Sequence, residues 1–219
     1  MKGAAAGIIA GVLIFVAIAA LVQNGATVSF DRDLLLAMRR PDLSLKGSPA
    51  FQEAARDVTS LGGVVLLSLI TAATAGFLAL DGKRRMAIFL GASIITGSFL
   101  STLLKDLFHR ARPELVPHAV YASSASFPSG HSMLSAITYL TLGALLARSH
   151  RRRGLKVYFL VLAVLMTLLV GVSRIYLGVH WPTDVLAGWT AGAVWAFVCW
   201  LVARRLQALH SLEAEGEQR

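Results

Sequence analysis

The chain has 219 residues, of which 56% are hydrophobic and only 15% are charged. Soluble domains carry about 25% charged residues, and the mean hydropathy here is +0.66, which excludes an ordinary soluble domain. Apolar runs recur over most of the length. The composition therefore predicts an all-α integral membrane bundle of about six transmembrane helices, each of about 20 residues. We expect residues 1–219 to form one domain.

The net charge of +9 would suggest a nucleic-acid partner in a soluble protein. Here most cations lie in short loops between apolar runs, where they set the membrane orientation and contact anionic lipids. The sequence has no helix-turn-helix, zinc or base-stacking motif, so we expect no nucleic-acid partner. The single cysteine, Cys199, excludes an intramolecular disulfide and a cysteine-based metal cage.

Apolar runs predict the membrane spans in chain order. The first run follows Lys2, and its length favours a retained anchor over the alternative, a cleaved signal peptide. Between the first two runs, three leucines before Arg39 and Arg40 suggest a short helix in the membrane interface, with an ordered loop as the alternative. Residues 203–219 form a tail, and its acidic part, residues 212–219, should be frayed. The predicted spans are residues 3–22, 59–80, 86–104, 131–147, 157–172 and 185–202.

The loops between the predicted spans fall into two sets that differ in positive charge. The set that contains both termini carries 12 Lys and Arg residues, and the opposite set carries nine, three of which belong to the motifs described below. The positive-inside rule then predicts that both termini are cytoplasmic. Residues 24–58, 105–129 and 173–184 should consequently lie outside, so that all the motifs converge on one membrane face.

The first motif combines cations at the end of the third predicted span. Lys105, His109 and Arg112 are spaced i, i+4 and i+7, so they share one face if the helix continues past the apolar run. Pro113 discourages further helix after Arg112. Arginine binds phosphate oxygens as a planar fork and lysine as a compact charge. Snorkelling at a helix end is the alternative, and His109 stays outside the predicted core set.

The second motif, Pro128–Ser129–Gly130–His131, opens the fourth predicted span. A helix N-terminus offers free backbone N–H groups to an anion, and Gly130 lets the backbone approach it closely. Ser129 can cap the helix or donate to a phosphate oxygen. A good helix start is the alternative interpretation, but His131 in the first turn favours a functional role beside the anion.

The third motif joins Ser173 and Arg174 to His180 and Asp184. Asp184 follows His180 by four residues, so its carboxylate can reach one imidazole nitrogen. Such a pair fixes the tautomer and makes the other nitrogen a better nucleophile or base. The alternative for Asp184 is a carboxylate that stabilises a helix N-terminus, the start of which is marked by Pro182. The alternative for His180 is a polar residue in the membrane interface.

The three motifs together resemble the signature of the type-2 phosphatidic acid phosphatase superfamily, Lys-x6-Arg-Pro, Pro-Ser-Gly-His and Ser-Arg-x5-His-x3-Asp. The chain matches their order and spacing without departure, and the span layout extends the resemblance over nearly its whole length. The resemblance implies a membrane-bound lipid phosphate phosphatase in a bacterial inner membrane, with its active site at the extracytoplasmic face. In bacteria it implies undecaprenyl diphosphate, phosphatidylglycerol phosphate or phosphatidate as substrate. We favour undecaprenyl diphosphate, because an outward site with small loops suits recycling of an envelope carrier.

The resemblance also implies roles for the motif residues. His180 would be the nucleophile that forms a phosphohistidine, Asp184 would orient it, and His131 would protonate the leaving group and then help to activate water. Fixed cations would take the place of a metal, so we expect no metal, no cofactor and no obligatory protein partner. The residues expected to hold the phosphoryl oxygens are Lys105, Arg112, Ser129, Gly130 and Arg174.

Two other functions remain open from the sequence. Vanadate-dependent haloperoxidases share these motifs, but they are typically large soluble proteins, and the apolar spans argue against that class. A lipid-phosphate-binding protein without catalysis is the second alternative. Such a relative should have lost His131 or His180, and both are present.

Overall fold

The computed structural model describes residues 2–120 and 124–208. These residues fold into α-helices without an extended strand, apart from one isolated bridge between Arg39 and Leu45, so the all-α prediction is confirmed. The predicted fraying at the acidic end of the tail concerns residues outside this part of the chain. The helices are α1 (Lys2–Gln23), α2 (Val28–Ala37), α3 (Pro49–Ser60), α4 (Val64–Leu80), α5 (Arg84–Phe108), α6 (Gly130–Ser149), α7 (Arg153–Tyr176) and α8 (Pro182–Ala208).

Five helices in the described residues, α1 and α5 to α8, are long and apolar enough to cross a membrane. The bent pair of α3 and α4 makes a sixth candidate, with an angle of 51° between the two helices. Their outer surfaces are apolar, and Val65, Leu80 and Phe99 are 75%, 92% and 71% exposed. Side chains of this kind suit a lipid environment, in which each helix satisfies its own backbone hydrogen bonds.

The second predicted span, residues 59–80, is wrong in one respect, because it is not one continuous helix. The helix breaks at Gly62 and Gly63, between α3 and α4. Glycine has a low helix propensity, and a Cβ on Gly62 would lie only 2.3 Å from Cγ1 of Val170 in α7. The break thus lets the chain pass close to α7. The last predicted span is too short, because α8 continues to Ala208.

Residues 24–58 form the two helices α2 and α3 and are not a simple loop. The short helix predicted there is present as α2, in which Leu35 is completely buried. Leu35 packs in an apolar cluster with Val116, Ile175 and Val185. This packing places α2 against the end of α7 and the start of α8.

Helix α6 is central and packs against both α7 and α8, and α1 packs on the other side of α8. Two glycines of α8 allow a very close approach to α6. A Cβ on Gly188 would lie 2.6 Å from the carbonyl oxygen of Ser129, and one on Gly192 would lie 2.6 Å from that of Met133. Helix α8 therefore meets the N-terminal turn of α6 with backbone against backbone.

The three motifs meet at one end of the bundle. This end is formed by the C-termini of α5 and α7 and by the N-termini of α6 and α8. Nζ of Lys105 donates to the carbonyl oxygen of Ala125 at 2.5 Å, and the backbone N–H of Ser129 donates to the carbonyl oxygen of Asp184 at 2.9 Å. Segments that are distant in sequence consequently form one site.

Candidate active site

His180 is a buried histidine in the short connection between α7 and α8. Its Nδ1 lies 3.5 Å from Oδ2 of Asp184 and 3.4 Å from Oγ of Ser126. Its Nε2 lies 3.2 Å from Nη1 of Arg112. Arginine can only donate, so Nε2 acts as the acceptor and the neutral imidazole carries its proton on Nδ1. The predicted reach of Asp184 to one imidazole nitrogen is therefore present.

The pKa of His180 is far below the usual range of a histidine. Burial lowers this pKa to about 3, and the nearby Asp184 carboxylate, which acts to raise it, does not offset the effect of burial. The imidazole is consequently neutral at physiological pH. Its Nε2 carries the lone pair, which accepts from Arg112 here and can act as a nucleophile or base once the guanidinium turns to the phosphoryl oxygens.

Asp184 is completely buried, and hydrogen bonds fix both of its carboxylate oxygens. Oδ2 accepts from the backbone N–H of Trp181 at 2.9 Å and from the hydroxyl of Ser126. Oδ1 accepts from Nη1 of Arg110 at 2.6 Å. Ser126 and Arg110 could not be identified as site residues from the sequence, because Ser126 belongs to no motif and Arg110 resembles an ordinary loop cation.

The cations of the first motif reach the site by a route that differs from the prediction. Helix α5 ends at Phe108, and His109 takes the left-handed conformation with φ of 46°. The proposed common helical face of Lys105, His109 and Arg112 is therefore wrong, and His109 is exposed. Lys105 remains in the last turn of α5, whereas Arg112 reaches the site from the loop that follows.

Arg112 is held in place by neutral acceptors. Nε donates to the carbonyl oxygen of Ser124 at 2.8 Å, and Nη1 donates to that of Val179 at 2.6 Å. Burial lowers the pKa of this guanidinium, and the Asp184 carboxylate acts in the opposite direction. Because the ordinary pKa of arginine lies above 12, the group stays charged beside His180.

Arg174 is a buried cation, only 4% exposed, near the end of α7. Its Nη1 donates to Oγ1 of Thr59 at 2.9 Å. Within the described part of the chain its Nε has no hydrogen-bond partner. A buried donor without a partner is costly, and an anion bound next to Arg174 would satisfy it.

The Pro-Ser-Gly-His turn begins α6 as predicted. Ser129 caps the helix, and its Oγ accepts from the Ser132 hydroxyl at 2.9 Å, so its own hydroxyl hydrogen is free to be donated. A Cβ on Gly130 would lie 3.3 Å from Cε of Lys105, so the glycine allows the lysine to come close. His131 is half-buried and interacts electrostatically with Arg174, His180, Lys105 and Arg112.

The arrangement has the components that phosphoryl transfer needs. Arg112 contacts the neutral His180, and the three cations of the motifs act electrostatically on His131, which lies in the first turn of α6. Phosphoryl transfer depends mainly on positioning and on stabilisation of charge on the phosphoryl oxygens. The predicted site residues brought together at this end of the bundle are Lys105, Arg112, Ser129, Gly130, His131, Arg174, His180 and Asp184.

Comparisons with known proteins agree with this chemistry. The family model of the PAP2 superfamily matches residues 86–208, which include all three motifs. The chain is 34% identical over 197 residues to phosphatidylglycerophosphatase B of Bacillus subtilis, covering 85% of this chain and 89% of that protein. It is 30% identical over 130 residues to an undecaprenyl-diphosphatase of Sulfolobus acidocaldarius, covering 57% of this chain and 59% of that protein.

A solved structure has the same fold. It is the crystal structure of a transmembrane PAP2 type phosphatidylglycerolphosphate phosphatase from Bacillus subtilis, which superposes with a TM-score of 0.79 at 29% identity. The superposition covers 91% of this chain and 96% of that chain. This coverage is larger than the part that the family model matches, so the similarity extends beyond residues 86–208.

Proposed function

Because this chain belongs to the PAP2 superfamily, we propose that it is a membrane phosphatase that hydrolyses a lipid phosphate at His180. The observation that carries the proposal is the environment of this side chain. His180 is buried and neutral, with Nδ1 towards Asp184 and Nε2 towards Arg112. An oriented neutral imidazole, whose Nε2 lone pair faces a cation that can bind a phosphoryl oxygen, suits attack on phosphorus.

In the first step, Nε2 of His180 attacks the phosphorus. The N–P bond forms as the P–O bond to the lipid breaks, and His131, which enters the step as an imidazolium, gives its proton to the leaving oxygen and becomes neutral. Asp184 stabilises the positive charge that develops on the imidazole. The phosphoryl oxygens are held by Lys105, Arg112, Arg174, the Ser129 hydroxyl and the Gly130 backbone N–H.

In the second step, water releases the phosphate. The water oxygen attacks the phosphorus while His131 takes a proton from the water. The N–P bond to Nε2 of His180 breaks. The same histidine thus serves as acid and then as base. Because three protein cations neutralise the phosphoryl oxygens, we expect turnover that does not depend on a metal ion.

We favour undecaprenyl diphosphate as the substrate, with phosphatidylglycerol phosphate and phosphatidate as the other candidates. The names of the two relatives support the first two lipids. We further propose a single six-span domain in which the bent pair of α3 and α4 counts as one span. Both termini are cytoplasmic in this proposal, and the lipid headgroup meets His180 at the extracytoplasmic face.

The test is the release of inorganic phosphate by detergent-purified protein in the presence of EDTA. The substrates are the three candidate lipids, and His180→Ala is compared with His109→Asn, which changes an exposed histidine to a residue that tolerates its left-handed backbone. We expect release by the wild type and by His109→Asn, and a loss of at least about 10³-fold in His180→Ala. A correctly folded wild type that releases no phosphate from any of the three lipids would contradict the proposal.

A further inference from the structure

Arg110 lies between two buried carboxylates and belongs to none of the three motifs. Its Nη1 donates to Oδ1 of Asp184 at 2.6 Å, and its Nη2 donates to Oδ2 of Asp31 at 2.7 Å. The side chains of Arg110, Asp31 and Asp184 are 16%, 1% and 0% exposed. The guanidinium also lies over the Trp181 ring, 5.5 Å from its centroid.

Asp31 connects α2 to the first turn of α8. Its Oδ1 accepts from the backbone N–H of Thr183 at 2.9 Å. Its Oδ2 accepts from the hydroxyls of Thr183 at 2.7 Å and Thr27 at 3.0 Å, besides Arg110. With these donors in place, Asp31 has one orientation and holds Nη2 of Arg110 in a fixed position.

The hydrogen bond from Arg110 holds the oxygen of Asp184 that does not face His180. While Oδ1 of Asp184 is held by Arg110, Oδ2 is turned towards Nδ1 of His180 and accepts from the Ser126 hydroxyl and the backbone N–H of Trp181. Removing the guanidinium would leave two buried carboxylates without their shared cation, which is strongly unfavourable. Only the donors to Oδ2 would then hold Asp184, so the carboxylate could turn about Oδ2 and its angle to the imidazole would no longer be fixed.

We propose that Arg110 is a positioning residue, which Asp31 holds in place and which fixes the Asp184 carboxylate against His180. The inference rests on the proposed phosphatase function. Asp31 lies outside residues 86–208, the part that the family model matches. Helix α2 therefore supplies a group to the catalytic machinery from the N-terminal part of the chain.

Three variants test the proposal by steady-state kinetics on the best lipid substrate: Arg110→Gln, Asp31→Asn and the double variant. Arg110→Gln should lower kcat by about 10- to 100-fold, the effect of losing a hydrogen bond to a charged group. KM should change little, because Arg110 is not among the groups proposed to hold the phosphoryl oxygens. Asp31→Asn should have a smaller effect on kcat, because Arg110 keeps its bond to Asp184. Arg32→Gln removes an exposed cation of α2 and should match the wild type.

The double variant separates positioning from a merely structural role. Arg110→Gln should lower the thermal midpoint, and the added Asp31→Asn should restore part of it by removing one uncompensated buried charge. The kcat value should stay low, because Asp184 still lacks its partner. Recovery of kcat together with the thermal midpoint would overturn the proposal, as would a folded Arg110→Gln with the wild-type kcat.

A spectroscopic measurement tests the same point without turnover. In protein labelled with ¹⁵N-histidine, the His180 signals are identified by their loss in His180→Ala. The wild type should show a neutral ring protonated at Nδ1, and Arg110→Gln should show a mixture of tautomers. The same tautomer in both proteins would overturn the inference even if the enzyme is active. A shift in tautomer with no phosphate release would support positioning and count against the proposed phosphatase function.

Discussion

At the scale of single residues, His180 links catalysis to stability through its pKa. Burial lowers this pKa to about 3 in the folded protein, whereas an unfolded histidine titrates at about 6.5. Below about pH 6.5 the unfolded state therefore binds a proton that the folded state does not bind until about pH 3. The contribution of His180 to stability is complete above this window and is lost as the pH falls through it.

We expect acid to destabilise the wild type more than a His180→Gln variant. Between about pH 6.5 and pH 5 the difference in the free energy of unfolding should reach about 2 kcal/mol, because each unit of the window contributes about 1.4 kcal/mol. Thermal unfolding in detergent at these two pH values measures it. His109→Asn, which changes an exposed histidine, should follow the wild type. Equal slopes for the wild type and His180→Gln would contradict the prediction.

The cations at the site divide into two kinds by their partners. Within the described residues, Arg112 and Lys105 donate to backbone carbonyl oxygens, and Arg174 donates to a threonine hydroxyl. Arg110, in contrast, is neutralised by the carboxylates of Asp31 and Asp184. Cations whose hydrogen bonds go to neutral acceptors keep their charge available for an anion. Arg110 is therefore suited to positioning, and the other three are suited to binding phosphate.

At the scale of helices, the contact between α6 and α8 holds the Pro-Ser-Gly-His turn in place. Gly188→Ala would put a Cβ 2.6 Å from the carbonyl oxygen of Ser129 and must push the two helices apart. We expect a loss of about 1–3 kcal/mol in the free energy of unfolding and a lower kcat. Gly91→Ala in α5 is the matched control, because nothing lies within 4 Å of the added atom. If both variants behave alike in thermal unfolding and phosphate release, close packing is not what positions the turn.

The helices were largely predictable from the apolar runs, because a membrane span needs a long stretch without charges. The wrong predictions concern the positions at which a helix breaks or ends. The break between α3 and α4 has a visible signal in Gly62 and Gly63, but the close approach of Gly62 to Val170 in α7 is a long-range contact that no local pattern marks. The end of α5 at Phe108 had a weaker signal, since Pro113 lies five residues further on.

The motif residues were predictable because their types, order and spacing match the signature of one superfamily. The residues that contact the motif residues from other parts of the chain were not predictable. Asp31 and Arg110 are 79 residues apart in sequence, and Ser126 and Asp184 are 58 apart. No local pattern marks such pairs, because only the folded bundle brings α2 and the connecting loops to the start of α8.

At the scale of the whole molecule, the charge pattern predicts the orientation of the bundle, and the fold places the site at the end opposite to the most basic connection. The loop cations favour cytoplasmic termini, and the motifs meet at the end of the bundle away from the Arg148–Arg153 connection. Helix α1 packs on α8 through Gly11, whose Cβ would lie 2.4 Å from Cγ2 of Val194. The first helix is therefore part of the bundle that carries the site.

The orientation itself can be measured with single cysteines, since Cys199 is the only one in the chain. In a Cys199→Ala background, Ala50→Cys in α3 and Gly154→Cys at the start of α7 place thiols at exposed positions near opposite ends of the bundle. A membrane-impermeant maleimide should label Ala50→Cys in intact cells and Gly154→Cys only after permeabilisation, because the positive-inside rule puts the latter in the cytoplasm. Phosphate release at the rate of the parent would show that each variant is folded. Labelling in the reverse order would place the termini outside and His180 at the cytoplasmic face, which would rule out the proposed extracytoplasmic hydrolysis.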